Sequence, residues 1–138
     1  MRKVFAYVDN IFCDIKLIDG ERHKKITGVD NKLILENIRI ASQEFCNTNT
    51  KLILRMPLIP SINDDEENIK GTAEFIKTLN KDIALELLPY HEFAKNKYTG
   101  LAMQYIPDQL TEIKPPQKEQ VQTVESMLRH YGITVITT

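Results

Sequence analysis

An α/β fold of parallel βα repeats, laid out as an open arc, is what this sequence predicts, and three observations carry the prediction. Apolar strand-like runs alternate with amphipathic helical stretches instead of being segregated from them, which is the pattern of βα units on a parallel sheet. The runs are rich in Ile, Leu and Val, as expected of strands covered on both faces. Only about three and a half βα units fit into 138 residues, too few to close a barrel.

Four apolar runs predict strands, at residues 11–18, 51–58, 83–88 and 133–136. Between the first two, Ile34, Ile38, Ala41 and Phe45 recur at helical spacing and line one face, while Glu36, Arg39 and Glu44 make the polar side. A second helix is predicted to open at Asn63 with Glu66 three residues on, a variant of the capping box. The acidic run Asp64 to Glu67 sits where the positive end of the helix dipole favours it, and Ile69, Ala73 and Ile76 face the sheet. The third helix follows Pro115 and Pro116, buries Val121, Val124, Leu128 and Tyr131, and stops at Gly132. Residues 20–30 and 90–114 read as long loops, which in a compact domain are usually functional. No linker divides the chain, so residues 1–138 read as a single domain. Phe5, Val8 and Phe12 read as the tail of something packed before the first strand, as though the chain began inside a larger domain.

Composition narrows the function. With 42% hydrophobic and 27% charged residues the chain can bury an ordinary core without disulfides or metal. Eighteen basic against nineteen acidic residues create no field for a polyanion, which argues against nucleic acid or a membrane surface as partner. No apolar run approaches the roughly twenty residues of a membrane span, and no signal peptide opens the chain; the expected location is the cytoplasm. Cys13 and Cys46 are too few for a disulfide framework and are spaced for neither a zinc ribbon nor an iron–sulfur run, so no metal site is expected.

In parallel βα proteins ligands bind at the carboxyl ends of the strands, and polar residues gather there. The first strand ends in Asp14-Ile15-Lys16, the second contains Arg55 and runs into Met56-Pro57, and the third runs into Leu88-Pro89-Tyr90-His91. Asp14, Lys16 and Phe12 share strand parity and project to one side. The bland alternative pairs Asp14 and Lys16 with each other or with Arg55. Glu86 reads as a structural partner of a basic neighbour, Cys13 and Cys46 as buried small hydrophobes, and His23, within a charged stretch, as a solvated loop residue.

These phrases occur in a recognisable order: Asp14-Ile15-Lys16; His23 with Thr27-Gly28 and Asn37; Arg55 to Pro60 with Asn63-Asp64-Asp65; Leu87 to His91; Lys97-Tyr98. Together they resemble the C-terminal half of the activating enzymes of glycyl radical enzymes, the pyruvate formate-lyase activating enzyme family. The resemblance implies a radical S-adenosylmethionine enzyme on an open (β/α)6-type partial TIM barrel. There a 4Fe-4S cluster, held by a Cys-x3-Cys-x2-Cys run, reductively cleaves S-adenosylmethionine, and the radical formed takes a hydrogen from a glycine of the partner enzyme. By the same resemblance Asp14 and Lys16 would hold the cofactor through polar contacts. Pro57 and Leu88 would pack near the adenine, His91 would lie at the ribose side, and Arg55 would neutralise carboxylate charge.

The cysteine run is absent here, as are the glycine-rich turn and acidic residue of the family's earlier strands, and Ala94 and Ala102 stand where the family often has glycine. The chain alone is therefore expected to be inactive, whether as the second half of an activating enzyme or as a scaffold. Two other readings stand beside this one. Lys16 could form a Schiff base in an aldolase-like lyase with Asp14 and His91 moving protons, or the half barrel could be a non-catalytic module that self-associates through its open sheet edge.

Overall fold

The computed structural model describes residues 8–45, 49–80, 82–91 and 114–137. Its elements run β1 (Asn10–Asp14), α1 (Gly20–Thr27), α2 (Lys32–Glu44), β2 (Lys51–Leu58), α3 (Glu66–Lys77), β3 (Ala84–Pro89), α4 (Lys118–His130) and β4 (Val135–Thr137). The strands form one parallel sheet in the order β1-β2-β3-β4. Each crossover therefore moves one strand over in the same direction, the winding of a barrel segment rather than of a doubly wound sheet, and crossovers of one hand place their helices on one side.

Side-chain burial agrees with that winding. Along β2, Leu52, Leu54, Met56 and Leu58 are buried, whereas Lys51, Ile53, Arg55 and Pro57 between them are not. The core lies between this face and the helices, with Leu85 and Leu87 of β3 packed among Ile38, Ile69, Ala73, Ile76, Val124 and Leu128. Each such fully buried aliphatic side chain contributes about 1.5–3 kcal/mol. Among the described residues the helices cover one face; on the other, Glu86 is buried and Ile53, Arg55, Pro57, Ala84 and Leu88 are partly exposed.

Three boundaries differ from expectation, each for a physical reason. The first strand ends at Asp14, not Ile18, because the apolar signal beyond it comes from Ile15 and Leu17, which are buried but outside the strand. Residues 20–27 form α1 rather than loop. Asp19 accepts from the Arg22 amide at 2.7 Å to start it, and its mostly charged residues gave no apolar period to read. The N-cap of α3 is Asp65, whose side chain accepts from the Asn68 amide at 3.0 Å, and Asn63 is committed elsewhere.

The predicted end of the last helix holds: Tyr131 closes α4 and Gly132 follows at φ +80°. Gly71 on α3 has a different reason to be glycine, since a Cβ there would stand 2.8 Å from the Ile18 side chain. Helix α3 thereby packs directly against the segment that leaves β1. Phe5, Cys46, Lys97-Tyr98, Ala94, Ala102 and most of the predicted 90–114 loop lie outside the described residues.

Candidate functional site

The open face is built from three parallel rows, because residues in register on neighbouring parallel strands point the same way. Phe12, Ile53 and Ala84 make the lowest row, Asp14, Arg55 and Glu86 the next, and Pro57 with Leu88 the one nearest the carboxyl rim. Lys16 follows β1 at that rim, and His91 lies two residues past the end of β3 with an exposed side chain. Sequence parity therefore gathers Asp14, Arg55, Pro57 and Leu88 on one face, with Lys16 and His91 at its carboxyl-end edge.

The charges of the middle row are already engaged. Arg55 Nε donates to Glu86 Oε2 at 2.6 Å, and its guanidinium carbon lies 3.7 Å from the centre of the Phe12 ring. Glu86 is the structural partner expected of it. Its side chain is only 11% exposed, against 33% for Arg55, so the pair stands on the floor of the face rather than out in solvent. Lys16 Nζ donates to Asp14 Oδ2 at 3.0 Å, with both side chains about half exposed. The bland pairing of Asp14 with Lys16 thus exists, and it lies at the same edge. Taken together, two cations and two carboxylates balance, beside an aromatic ring and the apolar Pro57–Leu88 pair.

Such a surface fits a zwitterionic ligand with a flat apolar part. Arg55 spends Nε on Glu86, which leaves the terminal nitrogens of its fork as the ones able to meet a carboxylate. A cluster of iron and sulfur does not fit the described residues. Cys13 is half buried, and burial first, then the Asp14 charge, pushes its thiol above the ordinary range, the opposite of what a thiolate ligand requires. No group of three His, Cys, Asp or Glu among the described residues converges as metal ligands would.

Sequence reasoning missed what holds the rim. His23 is buried, not solvated: its Nδ1 lies 2.7 Å from the Val29 carbonyl oxygen, folding the end of α1 onto itself. Arg22 reaches Asp65 at 2.6 and 3.2 Å and donates to the Ile62 carbonyl at 2.9 Å, which ties α1 to the start of α3. Three asparagines, Asn31, Asn63 and Asn68, are buried and hydrogen-bonded to backbone groups. The readable trace of Asn68 was its place on the inward face of α3 beside Ile69 and Thr72; Asn63 was noticed only as a helix start and within the Asn63-Asp64-Asp65 phrase, and Asn31 left none. On the outer side of β1 a cleft of about 560 Å3 opens between Ile11 and Cys13 of the strand and Ile34, Ile38 and Ala41 of α2. Within the described residues β1 has no outer neighbour.

No protein-family model matches the chain. It is 32% identical over 136 residues to the indoleacetate decarboxylase activating enzyme of Tractidigestivibacter scatoligenes, covering 99% of this chain and 41% of that protein. It is 38% identical over 127 residues to the trans-4-hydroxy-L-proline dehydratase activating enzyme of Clostridioides difficile (91% and 39%). Against the pyruvate formate-lyase 1-activating enzyme of Escherichia coli K12 it is 31% identical over 134 residues (97% and 52%). The chain thus spans about a third to a half of the length of the curated relatives it matches. Among solved structures, a domain of a pyruvate-formate lyase-activating enzyme from Bacteroides vulgatus superposes with a TM-score of 0.75 at 28% identity, covering 99% of this chain and 71% of that one.

Proposed function

Since the chain is, over nearly all its length, a relative of the activating enzymes of glycyl radical enzymes, we propose that it forms the C-terminal part of such an enzyme and carries one side of its S-adenosylmethionine site. One observation carries this reading: the open face sets a charge-balanced group, Asp14, Lys16, Arg55 and Glu86, beside the apolar pair Pro57 and Leu88 at the carboxyl ends of the strands. A nucleoside bearing an amino-acid tail needs that combination. Arg55 and Lys16 suit the tail carboxylate and Asp14 its ammonium. Pro57 and Leu88 suit the adenine face, and His91 at the rim suits the ribose. Asp14 and Lys16 must exchange part of their mutual contact for the ligand, which their half exposure makes inexpensive.

In the full-length enzyme the cofactor, with an electron from a 4Fe-4S cluster, supplies hydrogen abstraction from a glycine of a partner such as pyruvate formate-lyase. This chain has two cysteines and cannot hold that cluster alone, so by itself it binds without catalysing. A soluble, cytoplasmic setting is part of the same proposal; among the described residues no helix is long and apolar enough to cross a membrane. The Schiff-base alternative loses ground because Lys16 is half exposed and paired with Asp14, not desolvated. The self-associating half barrel is favoured by one observation, the unpartnered outer side of β1 among the described residues.

Titration with S-adenosylhomocysteine, followed by the backbone amide signals, tests the cofactor reading. Shifts should concentrate at Asp14, Lys16, Arg55, Leu88 and His91. Shifts confined to the helical side, or none at millimolar ligand, would remove it.

A further inference from the structure

Beyond Asp14 the chain leaves the sheet ladder, yet Ile15 and Leu17 are buried, so the backbone polar groups of residues 16–18 need partners that no strand provides. Asparagine side chains provide them for the three carbonyls and for the Ile18 amide. Asn31 Nδ2 donates to the carbonyls of Leu17 at 2.9 Å and Ile18 at 2.8 Å. Asn68 Oδ1 accepts from the Ile18 amide at 2.9 Å. Asn63, 1% exposed, is the hub. Its Nδ2 donates both to the Lys16 carbonyl at 3.0 Å and to the Pro57 carbonyl at 2.6 Å, and its Oδ1 accepts from the Ile59 amide at 2.8 Å. Asn68 Nδ2 in turn donates to the Asn63 carbonyl at 2.9 Å, which fixes the hub itself.

One side chain therefore spans the exits of two neighbouring strands, and those exits carry Lys16 and Pro57. Building on the cofactor reading above, we infer that Asn63 is a positioning residue: it sets the spacing between the Lys16 end and the Pro57 end of the site, without touching the ligand. No other residue type does this as well, because the task needs two donors and an acceptor on a short, planar group in a buried place. Aspartate keeps the acceptor for Ile59 and loses both donors. Serine keeps at most one donor and is too short to reach both carbonyls.

The test uses the whole 138-residue chain as wild type, Asn63→Asp and Asn63→Ser, with two readouts. The first needs no ligand: amide hydrogen exchange at Ile18 and Ile59 against Leu54 and Leu85 in the sheet centre. Both variants should speed exchange at Ile18, whose segment loses the Asn63 tie, about tenfold; Asn63→Ser should do the same at Ile59, whose acceptor Asn63→Asp keeps, while the sheet-centre pair stays within about twofold, as expected for loss of two buried hydrogen bonds without global unfolding. The second is affinity for S-adenosylhomocysteine compared with adenosine alone and methionine alone. Loss of spacing should weaken the two-ended ligand about tenfold and each single-ended fragment by no more than about threefold. Equal losses for all three ligands, or unchanged exchange at Ile18 in both variants, would overturn the positioning role. Wild type that binds none of the three would instead overturn the cofactor reading on which the role rests, and the exchange result would still report whether Asn63 fixes the rim. Should Asn63→Ser not fold, the isosteric aspartate variant decides.

Discussion

Arg55 and Glu86 should respond unequally to mutation, because they are unequally buried. Replacing Arg55 by methionine preserves much of the side-chain volume over Phe12 but leaves Glu86, 11% exposed, with a charge and no cation. Breaking a fully buried pair in this way costs about 3–5 kcal/mol. Arg55 is a third exposed and water can reach its place, so about 2–3 kcal/mol is the expected loss for Arg55→Met. Glu86→Gln keeps an oxygen that accepts from Nε and leaves the cation stacked on the ring, so its cost should be nearer 1 kcal/mol. The double variant removes the orphan charge and should be no less stable than Arg55→Met alone, giving a coupling of about 1–2 kcal/mol. Urea unfolding followed by far-ultraviolet circular dichroism measures all four proteins. If the two single changes were each under about 0.5 kcal/mol and simply additive, the pair would be a solvated surface contact, and the open face could not be treated as a preorganised floor.

Three other outcomes are expected. Asp65→Ala removes both the N-cap of α3 and the Arg22 partner; the cap accounts for about 1 kcal/mol and the exposed ion pair for less. The hydrogen bond from Arg22, with the Asn68 amide behind it, holds the Asp65 carboxyl below its ordinary 3.8, so this stability is fully present above that pH and fades as pH falls through the lower folded value; melting curves at neutral and strongly acidic pH should show the gap between wild type and variant closing. Anaerobic treatment with iron and sulfide should yield no stoichiometric cubane absorbance from a chain with two cysteines, and its appearance would contradict the ligand count. Light scattering over a dilution series should show mass rising with concentration, because within the described residues the outer side of β1 is unpaired and the neighbouring cleft, with Asp14, Lys16 and Glu44 in its lining, is otherwise mostly apolar; a monomer throughout would argue that the edge is covered.

What could be read from the sequence was whatever repeats locally. Helical spacing found α2, α3 and α4, and strand parity assigned Phe12, Asp14 and Lys16 to one side before any coordinates placed Arg55 over Phe12. Where local periodicity and burial part company, reading fails. Ile15 and Leu17 are apolar because they are buried, and so extended the predicted first strand past its true end at Asp14. In α1 the failure runs the other way: His23 is the buried residue of an otherwise charged helix, so the segment read as loop.

The asparagines show why the rest was out of reach. Asn63 bonds Lys16 across 47 positions, and Asn68 bonds Ile18 across 50. Nothing in their own neighbourhoods announces this, since asparagine beside aspartate at a helix start is also what an ordinary cap looks like. The reading of Asn63 as the cap was locally sound, and Asp65 fills that role equally well two residues later. With Asp65 capping the helix, Asn63 is left to join the two strand ends. A site at parallel strand ends depends on that kind of lateral tie, because the β1 ladder stops where part of the ligand would begin: the last β1 residue is Asp14, and of the contacts proposed for the cofactor tail Asp14 and Lys16 lie there or just beyond. The side chains that face a ligand can be guessed from their chemistry and parity, whereas those that fix the distance between them are set by topology, and only the folded chain brings Asn63 between Lys16 and Pro57.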